Sequence, residues 1–493
     1  MEVAKSGLNV SSAFPTKSAG PMVSSEMHAS GTETVRALAR IALTPGDAIA
    51  PEAMRQAQLL LLDTVACGIA GAQDATARAV TGIALREAAL PQCALIGRAE
   101  KTSLLNAVLA NGVAVRALDW NDYLVGESDG EPETAGHPSD NIPVALAAGS
   151  ARKCTGADVL ASIVIGYELY ARLQHLTDRD NAWDAVTVSG LVAPAMAGRL
   201  MGLKEETLAH AIALGAARAA TPAIVRTGHI SSAKSIANAL VAQSAVQAVL
   251  FAQSGLEGPL PILDHARGLR EIFAYDESGR LTAPMPAAGA IMGAHVKAYP
   301  CINTGQGAAA AALQLHKMID GQTDALASVD VIMADYTVVK RHQGDKVRQR
   351  PQSREAADHS FSFIVAASLI DGSFGLAQFE NERWRDPRIV GLMEKMVMRR
   401  DATLNARAPG GFPCVVRAVM RDGQERIAEI AYPPGFSQGG LDEAAVIEKF
   451  HRVTAPILGE SARTRIVTAT LSLQQAHSMA ELDASISMEG FQS

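Results

Sequence analysis

The chain has 493 residues and a formal charge of -7, with 48% hydrophobic but only 4% aromatic residues. That length suggests roughly two to four compact units, with a core of Ala, Leu, Val and Ile rather than rings. A pI near 6.0 argues against a nucleic-acid partner, which needs a clustered basic face.

Five scattered cysteines, Cys67, Cys93, Cys154, Cys301 and Cys414, include no Cys-x-x-Cys pair. Neither a disulfide framework, a metal site nor an iron-sulfur cluster is supported. No apolar run reads as the roughly 18-residue stretch of a membrane span. Residues 1–30 are rich in Ser, Ala, Gly and Lys and lack arginine. They resemble neither a secretory signal nor a transit peptide, and the expectation is a disordered tail on a cytoplasmic protein.

Residues 31–284 carry apolar positions at helical spacing in Glu52–Ile69, Ser103–Leu118, Asp158–Leu173, Leu191–Leu200, Glu205–Ala220 and Ile236–Gln253. This reads as the first segment of an all-α domain. Pro, Gly and Ala accumulate over Leu281–Pro300 and amphipathicity is lost, which marks a boundary. Residues 285–437 then read as a smaller α+β domain. A helix over Gly305–Ile319 precedes an alternating strand over Ser328–Val339, and a helix over Ala356–Leu369 precedes a hairpin around Arg421-Asp-Gly-Gln. Residues 438–493 are helical again and are expected to return to the first domain. The fold class is therefore mainly α, with a discontinuous helical domain and a smaller α+β domain. The basic run from Lys340 to Arg354, broken by Gly344 and Asp345, reads as a solvated loop.

The chemistry concentrates in Arg116-Ala-Leu-Asp119-Trp-Asn121-Asp122 and, after an acidic insert, Gly136-His137-Pro138-Ser139-Asp140-Asn141. Carboxylates beside an imidazole are the usual tools of proton transfer. Ser139 or Asp140 is placed to cap a helix whose first turn contains Pro143. Asp119 and Asp122, three apart, either face one another or divide between site and turn.

These motifs, together with the helix Leu59–Ala72 carrying Asp63, the Arg226–Lys234 segment and Lys297-Ala-Tyr-Pro300 before a Gly/Ala-rich helix, resemble the MmgE/PrpD family from about residue 33 to 475. That family includes 2-methylcitrate dehydratase, cis-aconitate decarboxylase and an iminodisuccinate epimerase. The resemblance implies the two-domain fold above, a homodimer, and catalysis with neither metal nor organic cofactor. It assigns His137 to proton transfer, and Asp119 to proton transfer or to orienting His137. Lys234 and Lys297 become carboxylate clamps, where an unaided reading makes one an exposed and the other a snorkelling lysine. Arg116 and Arg226 are further candidates for substrate binding, and Asn303-Thr304-Gly305 offers amides for an anion.

The chain departs from the family's usual pattern in three places. Tyr123 stands where Thr is common, the insert before His137 is long, and Cys301–Gln306 lacks a histidine often found there. Tyr123 is thereby a candidate pocket residue. Arg116, Asp140-Asn141 and Asp184, where decarboxylase-like members tend to have His, favour the dehydratase branch. His359 opens a helix and is equally a cap, a core residue or a group reaching the site from across the domain cleft. Asp63 reads as a buried structural acid.

The expected reaction is elimination of water from a 2-methylcitrate-like tricarboxylate. Asp119 or Asp184 would serve as base and His137 as acid, or the roles are exchanged. A decarboxylase, an epimerase of a related dicarboxylate and a non-catalytic metabolite-binding paralogue are the alternatives.

Overall fold

A computed structural model of the chain describes residues 33–87, 90–128, 130–177, 182–226, 230–273 and 279–487. The tail of residues 1–30 lies outside them.

One apolar cluster runs from Val35 to Val296 and takes in Val446, Phe450, Val453 and Ile466 from the C-terminal helices. Its centre is the helix Pro51–Gly71, with 18 of 21 residues buried. A helix covered on nearly every side must be apolar all round, and Leu59-Leu-Leu-Leu62 meets that demand. Pro51 starts it at a position where no amide needs a partner. Around it pack Leu104–Arg116, Gly156–Leu173 and Glu443–Thr454. The helices anticipated from periodicity form within a few residues of their expected limits.

The helix Ala233–Gln253 is long and apolar enough to cross a membrane by composition, contrary to the sequence reading, yet 56% of its most apolar window is buried. It packs on Leu104–Arg116, Ser189–Leu200 and Glu205–Ala216.

A second cluster, from Cys301 to Ala428, surrounds a four-stranded sheet ordered Met396–Asp401, Leu326–Ala334, Cys414–Met420, Glu425–Ile430. The first pair is parallel and the others antiparallel. Val329, Val331 and Met333 are buried on one face. The helices Gln306–Met318 and Phe361–Asp371 share that core.

Three local expectations change. The strand ends at Ala334, and Thr337–Gly344 is a helix. The helix expected over Ala356–Leu369 is broken at Asp358–Ser360, because Ser353 caps Arg354–Ala357 and Ser360 caps a new helix from Phe361. The first domain is not wholly helical. The acidic insert folds as a hairpin, Tyr123–Ser128 with Glu131–Gly136, and Ala294–His295 adds a third strand.

Candidate active site

The helix Leu104–Arg116 ends beneath a cavity of about 570 Å³ between the two clusters, a size suited to a small ligand. Three residues further on, Asp119 takes φ +51°, a left-handed conformation costing an ordinary residue roughly 1–3 kcal/mol. Cations from three directions hold it. Arg116 bonds Oδ1, Lys297 Nζ donates to Oδ1 at 2.7 Å and to the backbone carbonyl at 2.9 Å, and Lys234 Nζ reaches Oδ2 at 3.2 Å. Burial pushes this carboxyl up, but Arg116, Lys234 and Lys297 outweigh it and hold Asp119 well below the usual carboxylate range.

The rest of the loop is held just as closely. Arg354 Nη1 donates to the Ala117 carbonyl at 2.8 Å and Lys449 Nζ to that of Trp120 at 2.8 Å. Asp119 and Asp122 do not face one another. Asp122 accepts from Ser139 Oγ and, at 2.6 Å, from the Tyr167 hydroxyl, and burial raises it to about 7 despite those bonds.

His137 follows Gly136, whose φ is +93° and where a Cβ would strike the Tyr170 hydroxyl. Its Nδ1 lies 2.5 Å from the Asp122 carbonyl. An oxygen that can only accept makes Nδ1 the protonated nitrogen, so Nε2 keeps a lone pair 3.8 Å from Asp119 Oδ1. Burial, then Arg116 and Lys297, hold His137 well below an ordinary histidine. Neither Ser139 nor Asp140 caps the following helix as expected. Ser139 serves Asp122, and Asp140 accepts from Asn121 Nδ2 at 2.8 Å.

From the second cluster, the break at Asp358–Ser360 delivers His359 to the cavity. Its Nε2 stands 3.6 Å from Asp119 Oδ2, and Nδ1 contacts Asp358 and lies 3.3 Å from Lys234 Nζ. Burial and the Lys234 ammonium lower it to about 3. Asp119, Asp358 and His359 bring ligating atoms within 4.8 Å of one another. Lys234 Nζ, 3.2 to 3.3 Å from all three side chains, already supplies the cation there.

The structure thus gathers Arg116, Asp119, His137, Asp184, Arg226, Lys297 and His359 on one cavity wall or another. Asp184 is engaged, accepting from Arg226 Nε at 2.6 Å and capping the turn Ala185–Val188. Lys234 is buried behind Asp119 rather than lining the cavity. Tyr123 does not reach it: the ring is buried in the hairpin, 5.1 Å from that of His295. Two of the three amides expected to cradle an anion are taken, Thr304 N by Asn303 Oδ1 and Gly305 N by the Ile302 carbonyl. Asp63 is buried and paired with Lys449 at 2.6 Å.

Sequence reasoning missed the basic run. It is helical over Thr337–Gly344 and Lys346–Gln349, and Arg341, His342 and Arg348 line the cavity. Val338, Val339 and His342 at helical spacing, all buried, were the available signal.

Profiles of the MmgE/PrpD N-terminal domain and the MmgE/PrpD C-terminal domain match residues 37–281 and 299–475. The chain belongs to the MmgE/PrpD family. Among curated MmgE/PrpD relatives, it is 24% identical to the cis-aconitate decarboxylase-like protein oryM of Aspergillus oryzae, over 91% of this chain and 95% of the relative. Mouse cis-aconitate decarboxylase is 25% identical over 75% and 76%. The 2-methylcitrate dehydratase of Salmonella typhimurium is 25% identical over 80% and 84%. The break between the two MmgE/PrpD profiles coincides with the passage from the first apolar cluster to the second.

Proposed function

We propose that this chain is a lyase that removes water from a small tricarboxylate, 2-methylcitrate being the substrate tested first. The observation that carries this reading is a pair of imidazoles, His137 and His359, set by separate clusters 3.8 and 3.6 Å from the two oxygens of one carboxylate. Elimination of water needs both a base and an acid, working on adjacent carbons.

Asp119 is a poor base, since three cations hold it ionised, and Asp184 is engaged by Arg226. His137, neutral and lining the cavity, is the better one, which reverses the role first expected of it. In this scheme His137 takes the proton from the carbon bearing a carboxylate. The electron pair forms the double bond, and hydroxide leaves the neighbouring carbon with a proton relayed through the neutral His359, whose Nε2–H is given up as the Lys234 ammonium, 3.3 Å from Nδ1, protonates that nitrogen. Lys297 and Arg116 lower the cost of negative charge building on the carboxylate-bearing carbon.

Proton NMR of the purified chain incubated with 2-methylcitrate, citrate and cis-aconitate tests the reading. A new 2-methylaconitate signal is expected, and none with either hydroxy acid would overturn it. Similarity to decarboxylases over most of the chain supports a second reading, loss of carbon dioxide from cis-aconitate, for which the product would be itaconate.

A further inference from the structure

The cations lining the cavity differ in what they already hold. Lys297 donates to Asp119, Arg226 to Asp184 and Arg341 to Glu133. Arg348 differs. Its side chain is only 12% exposed, and Nε and Nη1 are shut off from solvent with no hydrogen-bond partner among the described residues. The nearest acid is Asp345, whose Oδ2 is 3.2 Å from Nε but outside hydrogen-bonding geometry. Asp345 Oδ1 is committed to capping the helix that carries Arg348, accepting from Val347 N at 2.9 Å. Buried donors without acceptors are costly, and burial lowers this guanidinium against the pull of Asp345 and Asp358.

We propose that Arg348 binds a carboxylate of the substrate remote from the reacting carbons, and so makes the cavity select tricarboxylates over dicarboxylates. The inference deepens the tricarboxylate reading and rests on it. A carboxylate matches the planar fork of an arginine in two parallel bonds. Arg348 comes from the second cluster, whereas His137, Asp119, Arg116 and Lys297 come from the first or from the segment joining the two. A ligand bridging them needs an anionic group at each end, and a third carboxylate supplies the additional one.

Calorimetric titration of the full chain with propane-1,2,3-tricarboxylate and with glutarate separates this inference from the reaction, because neither ligand carries a hydroxyl to eliminate. Wild type should bind the tricarboxylate at least tenfold more tightly than glutarate. Arg348→Gln should bring the two within about twofold of one another while moving glutarate less than twofold. Arg348→Lys, which keeps the charge and loses the fork, should fall between, and it stands in if the glutamine variant proves unfolded by circular dichroism. Unchanged tricarboxylate affinity in the variant, or no preference in wild type, would overturn the proposal. Failure to turn over 2-methylcitrate beside an intact preference would remove the dehydratase reading alone.

Discussion

Lys297 holds Asp119 twice, by its carboxylate at 2.7 Å and by its backbone carbonyl at 2.9 Å. The two bonds together pin a residue whose left-handed backbone would otherwise relax. Lys297→Met removes one partner of a buried ion pair, and such losses cost about 3–5 kcal/mol. Urea denaturation should show that loss along with absent turnover. A change below about 1 kcal/mol would mean that Arg116 and Lys234 suffice.

His137→Gln should lower kcat by roughly 10²–10⁴, the usual worth of a general base, with the helical circular dichroism unchanged. In wild type the base must be neutral to act. Burial, Arg116 and Lys297 keep it neutral on the acid side of an ordinary histidine. The acid limb of kcat/KM should therefore lie below about pH 6.5; a limb at or above that value would exclude His137 as the base.

Asp122 makes stability depend on pH. Its carboxyl is raised to about 7 by burial, so between the unfolded value near 3.9 and 7 the folded chain holds a proton that the unfolded chain has lost. The stabilisation from this group is complete below the unfolded value and is lost as pH rises through 7, at up to about 1.4 kcal/mol per unit. Asp122→Asn removes the ionisation. The stability of this variant relative to wild type should climb from pH 5 to 7 and level off above, and a difference independent of pH would count against a raised Asp122.

Asp63 and Lys449, at 2.6 Å, join the central helix to the C-terminal segment below the Asp119 loop. Lys449→Met leaves a buried carboxylate uncompensated and should cost about 3–5 kcal/mol. Adding Asp63→Asn should restore part of it, a coupling that a double-mutant cycle measures. Activity should stay low in the double variant, since the bond to the Trp120 carbonyl is still missing. Strictly additive stabilities would dissolve the pair.

Much of this was legible in the chain. Long amphipathic runs such as Gly156–Leu173 form helices because one apolar face must be covered. Asp119 and His137 were recognisable because their motifs are local. The break at Asp358–Ser360 was harder to read, since Ala356–Leu369 is apolar enough to continue as one helix. Only the cap that Ser360 offers to Phe363 N marks the interruption, and that interruption carries His359 to the cavity. The basic run was misjudged because charge suggests solvent, whereas packing of Val338 and Val339 turned its helices toward the site.

By itself the sequence determined the helical architecture, the α+β region and the family, each written in spacing or in short motifs. Tertiary structure alone decided the electrostatics. The partners of Asp119 lie 3, 115 and 178 residues away along the chain, and no periodicity links them. Whether a buried aspartate is base or anchor depends on the charges gathered around it, as does the protonation of His137 and His359. Those distances exist only once the helices have packed, and His359 reaches Asp119 only where the second cluster meets the first.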